Sequence, residues 1–352
     1  MNEPDGSDQS RALTIARSIR QRIVSGQFPP GSQLPTWGAL EQEFGVTRTT
    51  LNRVFHRLKS DGFVYSPSTR GTFVVERPPH LSRYGLAFEI QPGEVGWNRW
   101  FSTLANESLV LQEKDNVKIP CFFSVENHLD NESHNRLLGD VVSDRLAGLI
   151  CVGHPEMVAR SIWDRADLPK VGVWNKGVGL PWPSVYIDRQ SFIEKSTRYL
   201  AARGCKKLAV ITTTGERLHE YAEVAASHGL MHPDHWRLAC AANASDCVRP
   251  IIQLLMSLPK QERPDALIIA DDNLVEDSIA ALMSVGVRVP GDLQIVVHCN
   301  WPQPVNSILP VRRLGFDGRR TLETAMSLID RQRQGEPFPE HESIPTVFED
   351  EI

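Results

Sequence analysis

No stretch of this chain carries 18 consecutive apolar residues, so none reads as a transmembrane helix. The first ten residues, MNEPDGSDQS, lack a basic n-region and an apolar h-region. They do not read as a secretory signal but as a disordered tail. The six cysteines (Cys121, Cys151, Cys205, Cys240, Cys247 and Cys299) form no CxxC pair and have no paired His-x-His ligands, which argues against structural zinc. Four of them lie in or beside apolar runs, as buried thiols do, so no disulfide is expected and a reducing cytoplasm is the expected compartment. GxSxG, Walker A and HExxH are absent, and no GxGxxG follows a first body strand. No internal repeat or low-complexity tract is visible. No cofactor and no metal are expected.

With 352 residues the chain is long enough for two or three domains, and its 41% hydrophobic and 23% charged residues are ordinary for a globular protein. The net charge of −5 hides an asymmetry. Residues 1–78 hold ten Lys/Arg against seven Asp/Glu, while the remaining 274 hold 28 against 36. A small basic domain on a larger acidic body is the balance of a nucleic-acid reader with a separate sensing part.

The basic part has its own pattern. Over 11–25, Leu13, Ile15, Ala16, Ile19 and Ile23 mark one face of a helix that Gly26 ends. Thr36 reads as the N-cap of a short helix with Leu40 and Phe44 turned inward, and Gly45 as a sharp turn. The next helix has two unlike faces. Leu51, Val54, Phe55 and Leu58 form an apolar stripe, whereas Thr49, Asn52, Arg53 and His56 repeat the same spacing elsewhere, with Arg48 and Arg57 nearby. Thr47 caps its start, where free amides favour an anion. A hairpin follows, Phe63–Tyr65 and Thr72–Val75, with Arg70 at its tip. Three helices and a basic hairpin over 11–76 are the plan of a winged helix-turn-helix, whose polar face suits phosphates and base edges. Glu76 to Arg83, ERPPHLSR, reads as an extended linker because adjacent prolines oppose helix, and 77–83 is its span.

From Tyr84 to the end the pattern alternates. Strands are expected at 84–90, 118–124, 147–152, 170–174, 184–187, 207–212, 237–241, 266–270 and 294–298. Helices are expected at 98–113, 132–144, 155–165, 190–203, 216–228, 246–257, 273–285 and 317–332. This order implies an α/β body over 84–352 with parallel sheets covered on both faces, two sheets with a cleft fitting the length better than one barrel. In such sheets ligands bind beyond the carboxyl ends of the strands. The loops there carry Trp97, Asn98, Trp100, His154, Trp174, Asn175, Asp188, Arg189, Arg217, Asp271, Asn273 and His298 to Trp301, which includes Asn300. Carboxylates, amides and aromatic faces in combination suit a sugar.

Two resemblances sharpen these expectations. The runs SGQFPPGSQLP, GVTRTT and RGTFV make residues 11–75 resemble the DNA-binding domain of the GntR family. The resemblance implies that Arg48, Thr49 and Thr50 contact an operator and that Arg70, Gly71 and Thr72 enter the minor groove; Thr36 and Thr47 are placed with them as helix caps. Two departures stand out. Trp37 and Gly38 occupy the place of an acidic–arginine pair in many members, and Asn52 that of an arginine. Asparagine suits adenine and arginine suits guanine, so the operator is expected to differ. In the body, SVYIDRQSFIEKSTRYLAARGCKKLAVIT and GVRVPGDLQIV resemble LacI-type regulators. This implies a periplasmic-binding-protein type I fold, two Rossmann-like lobes with three crossovers; AraR-type regulators join the same two modules. It also implies an effector-clamping role for Arg217 and a strand-end aspartate in Asp188, and it places Cys299 where the ligand-holding aspartate usually stands. The expected protein is a ligand-responsive regulator, a homodimer on double-stranded operator DNA that senses a sugar-like effector and has no membrane partner. The alternatives are an enzyme or a transport-type binding protein built on the α/β body. The first has no motif, since His154 and His298 lack nucleophile partners recognisable from spacing; the second conflicts with the attached basic head.

Overall fold

The computed structural model describes residues 6–67, 70–125, 131–153, 162, 165, 167–174, 182–213, 218–241 and 247–352. The helix expected at 155–165 lies almost wholly outside them, as do His154, Asn175 and Arg217. Two compact units emerge: Met1–Glu89 with Leu111–Val171 and Met326–Phe338, and Ile90–Val110 with Gly172–Ala325 and Pro339–Ile352.

In the first unit the basic head comprises α1 (Gly6–Val24), α2 (Trp37–Phe44), α3 (Arg48–Ser60) and a hairpin of β1 (Val64–Tyr65) and β2 (Phe73–Val74). Helix α1 begins at Gly6, inside the stretch expected to be a tail, so the ordered helix is longer than its apolar spacing marked. Ile15, Ala16, Ile19 and Ile23 of α1, Leu40 of α2 and the whole stripe Leu51, Val54, Phe55 and Leu58 of α3 meet in one core. Leu13, expected on the buried face, is exposed.

The linker is not fully extended. Residues Pro79–Ser82 form α4, a single turn, with Pro78 at its N-cap. Proline opposes helix only in the interior; at the first position its missing N–H has no helical partner to lose. His80 of this turn is buried and stacks on Phe63 of the head, 5.9 Å between centroids, and its carbonyl accepts from Arg333 Nη1 at 3.3 Å. Burial first, and then the nearby Arg333, push its pKa down to about 4.

A chain of ion pairs runs from the head into the rest of this unit. Asp61, the C-cap of α3, accepts from Arg20 Nη2 at 2.9 Å and from Arg145 Nη1 at 2.8 Å. Arg145 Nη2 also lies 2.7 Å from Asp140, which takes Arg83 Nη2 at 2.6 Å. The Asp61 and Arg20 side chains are only 6% and 5% exposed, so this charge pair is removed from water.

The body contains two six-stranded sheets. One consists of β3 (Tyr84–Phe88), β4 (Cys121–Phe122), β5 (Gly148–Val152), β6 (Lys170–Trp174), β7 (Ser184–Ile187) and β13 (His341–Ile344), in the order β13-β7-β6-β5-β3-β4. The other consists of β8 (Leu208–Thr213), β9 (Arg237–Cys240), β10 (Ala266–Ile269), β11 (Gln294–Trp301), β12 (Arg312–Asp317) and β14 (Val347–Phe348), in the order β14-β12-β11-β10-β8-β9. In this second sheet only the β12–β14 pair is antiparallel. The helices are α5 (Arg99–Asp115), α6 (Glu132–Val142), α7 (Arg189–Ala202), α8 (Leu218–Ser227), α9 (Val248–Ser257), α10 (Val275–Ser284) and α11 (Gly318–Gln334). In the second sheet, Ala209, Ile211, Leu267, Ile269, Ile295 and Val297 join one core with α9 and α10. Their neighbours Leu208, Val210, Ala266, Ile268 and Val296 join another core with α7 and α8. Parallel strands sealed on both faces follow from period-2 side chains that are apolar on each side.

Three strands lie where no strand is expected from the sequence: β12, which opens with two arginines, and the edge strands β13 and β14, of four and two residues. Of the six thiols, Cys151, Cys205, Cys240 and Cys299 are buried and all six are free.

The head's attachment can be tested by substitution at three positions. Asp61→Ala leaves the buried Arg20 guanidinium without its carboxylate and is expected to lower stability by about 3 kcal/mol. Arg145→Ala, at the more exposed end, is expected to lose about 1 kcal/mol or less. Urea unfolding curves check both; equal losses would contradict the burial argument. His80, held neutral in the fold, contributes stability that is complete above its ordinary pKa near 6.5 and is lost as pH falls toward about 4. His80→Phe is expected to flatten the melting temperature against pH across that window.

Candidate nucleic-acid interface and effector site

Helix α3 presents the candidate interface because its other face is sealed. Thr47 caps it from extended backbone, φ −80° and ψ 161°, and its hydroxyl accepts from the Thr50 amide at 3.4 Å. Arg48, Thr49, Asn52, Arg53 and His56 are exposed along the helix. Thr36 caps α2 in the same way, accepting from the Ala39 amide at 3.3 Å. Thr50 departs from expectation: it is 3% exposed, and its hydroxyl lies 3.2 Å from that of Thr47. The position one turn after the cap falls against the core, so Thr50 orders the helix start and is not available as a contact in this conformation.

The hairpin pairs Val64 with Val74 and Tyr65 with Phe73. Arg70 is exposed at its tip. Gly71 has φ +102°, and a Cβ there would come within 2.6 Å of Gln33 Nε2. That same Nε2 donates to the Arg70 carbonyl at 3.2 Å, so Gln33 braces the tip. Gln33 was not singled out in the sequence; its bridge to Phe73 depends on pairing between distant segments. Thr72 also departs from expectation, being 5% exposed with its hydroxyl 2.9 Å from that of Ser66 across the hairpin. It ties the two arms and does not face solvent.

In the second unit the C-terminal ends of β8, β10 and β11 gather a polar cluster. Asp271 accepts from Thr213 Oγ1 at 3.0 Å and from the amide and Nδ2 of Asn273 at 2.9 and 2.8 Å. Asp272 is buried; Asn300 Nδ2 donates to it at 2.7 Å, and His298 Nδ1 lies 4.0 Å away. Burial raises the pKa of Asp272, His298 opposes the rise, Asp271 adds to it, and Arg99 and the Asn300 bond pull it back. The His298 ring sits between Phe192 and Phe316, 5.5 and 5.6 Å between centroids, and its Nδ1 has no hydrogen-bond partner among the described residues.

Alternation along β11 decides which side chains belong to this cluster. Cys299 and Trp301 face the core formed with α9 and α10, and Trp301 Nε1 donates to the Val347 carbonyl at 3.1 Å. His298 and Asn300 face the other way. Trp100 is half-buried on the core that supplies Phe192 and Phe316. The remaining candidates are engaged locally. Trp97 donates to Ser102 Oγ at 2.8 Å; Asn98 caps the start of α5 by accepting from the Phe101 amide at 2.9 Å. Asp188 caps α7 through the Ser191 amide at 3.1 Å. The Trp174 indole lies over Gly172, where any Cβ would overlap the ring. Among the described residues, no group of three or more His, Cys, Asp or Glu is placed to hold a metal, and no helix is long and apolar enough to cross a membrane.

A winged helix-turn-helix head on an α/β body with polar strand ends defines a class: transcription regulators with a separate sensing domain. Residues 11–74 match the model of bacterial regulatory proteins, gntR family, and residues 197–348 match the periplasmic binding protein-like domain. The chain thus joins a GntR-type DNA-binding head to a LacI-type, periplasmic-binding-protein-like body of two lobes. It is 22% identical over 297 residues to the arabinose metabolism transcriptional repressor of Geobacillus stearothermophilus, covering 81% of this chain and 80% of that one. A LacI-family regulatory protein from Chloroflexus aggregans superposes with a TM-score of 0.61 at 16% identity, over 76% of this chain and 96% of that one. The transcriptional regulator CelR in complex with cellobiose gives 0.57 at 18% identity, over 86% and 90%.

The Asn300–Asp272 bond yields a prediction. Asn300→Ala removes the donor from a buried carboxylate and is expected to destabilise the protein by about 1–3 kcal/mol at neutral pH. The loss should shrink as the solution is acidified, because a protonated Asp272 no longer needs the donor. Chemical denaturation at two pH values checks this; a loss independent of pH would contradict it.

Proposed function

We propose that this protein is a repressor that binds double-stranded operator DNA as a homodimer and is controlled by a sugar or sugar derivative. The observation that carries the reading is the two-faced α3: a stripe buried to completion behind it, and Arg48, Thr49, Asn52, Arg53 and His56 in solvent. Cations supply salt-dependent affinity to phosphates, while Asn52 and the arginines read base edges in the major groove. Exposed Arg70 at the hairpin tip takes the minor groove. Two heads carried by a symmetric dimer would meet a near-palindromic site.

The sensing role rests on Asp271, Asp272, His298 and Asn300 with Trp100 alongside, which combine hydroxyl-binding groups with an aromatic face. That one similar protein is named for arabinose metabolism, and that one of like fold is seen in complex with cellobiose, supports a carbohydrate as the effector class. Effector control requires that the ligand bind two states of the dimer with different affinity.

Arg48→Ala and Arg70→Ala are each expected to weaken operator binding and to reduce the salt slope by about one phosphate contact per subunit. Asp271→Ala is expected to leave DNA binding intact while abolishing the thermal stabilisation produced by a binding sugar in a screen of mono- and disaccharides. Unchanged DNA affinity in both arginine variants would remove the interface assignment; stabilisation that survives Asp271→Ala would remove the sensing site.

A further inference from the structure

We infer that Trp37 is a positioning residue for operator reading, holding the Arg48 guanidinium over its indole face before DNA arrives. The inference rests on the proposed DNA-binding role of α3 and adds a residue that does not itself belong to that helix.

Three observations carry it. Trp37 is the first residue of α2, directly after the exposed N-cap Thr36, and it is half-buried against the head core. Its ring lies 5.0 Å from that of Phe55, inclined by 33°, and Phe55 is buried on the inner face of α3. Arg48, the first residue of α3, places its guanidinium carbon 5.2 Å from the Trp37 ring centroid. Phe55, Trp37 and Arg48 therefore form a stack running from the core to the solvent at the end of α3 that carries the anion-favouring amides. A cation within about 6 Å of an aromatic face is attracted by the ring quadrupole, most strongly for tryptophan.

The consequence differs from that of an ion pair. A carboxylate partner would have to be displaced before Arg48 met a phosphate or a guanine. An indole occupies only the flat face of the guanidinium and leaves its N–H edge free to donate. A long side chain held in one orientation also loses less freedom on binding. The tryptophan thus orders the arginine without consuming its donors. This gives Trp37 a physical role at a position where the head departs from the GntR pattern.

The test is a double-mutant cycle in the full-length chain, with an operator duplex selected from a random-sequence DNA pool by the wild-type protein. Trp37→Leu keeps an apolar side chain over Phe55 but removes the π face; Trp37→Phe keeps a π face. Trp37→Leu is expected to weaken operator binding about twofold to fivefold, and Trp37→Phe to stay within about twofold. In the Arg48→Ala background, Trp37→Leu is expected to add no further loss. Equal penalties for the leucine and phenylalanine variants would overturn the inference. So would a Trp37→Leu penalty that persists without Arg48, which is the signature of a merely disturbed fold. If Arg48→Ala itself binds like the wild type, the DNA-contact reading fails first, so the two failures are distinguishable.

Discussion

Everything the head offers to solvent depends on the burial of one stripe of α3. Leu51, Val54 and Leu58 are fully enclosed and Phe55 nearly so, which fixes the helix rotation and leaves Arg48, Asn52, Arg53 and His56 outside. A slip of one residue would turn a charged side chain into that core at large cost. The same helix ends on Asp61, whose buried carboxylate holds Arg20 of α1 and Arg145 beyond the linker. Helix α3 is therefore anchored by apolar packing along its length and by charge at its end. The first resists rotation, and the second links its terminus to Asp140 and Arg83 through Arg145.

The body applies a related rule with period two. Along β11, Cys299 and Trp301 enter one core while His298 and Asn300 turn to the opposite side, where Asp272 and two phenylalanines receive them. The residue standing where LacI-type proteins usually carry a ligand aspartate is thus a core thiol here. The polar side chains His298 and Asn300 lie on the other face. Burial raises the pKa of Asp272, and the Asn300 hydrogen bond acts in the opposite direction.

Much of this was legible in the residues. Strands β6 and β7 were readable to the residue, because each is a short run of mostly β-branched or aromatic side chains bounded by turn signals. The caps Thr36 and Thr47 were equally plain, since a hydroxyl before an apolar period has one local use. What escaped depends on tertiary context. Strand β12 opens with Arg312 and Arg313, whose charges are met by Glu349, a partner far along the chain. Pro78 and Pro79 read as breakers although the first turn of a helix accepts proline. The burial of Thr50 and Thr72 and the brace supplied by Gln33 follow from packing across the hairpin and helix start, which spacing alone does not encode.

Helix α3 is proposed to make this chain a sequence-specific reader of DNA. Repeated selection of duplexes from a random pool by the full-length protein tests it most directly. A two-fold-symmetric motif with half-sites about one helical turn apart is expected to be enriched, and to collapse when the selection is run with Asn52→Ala. A pool that remains random with the wild-type chain would contradict it.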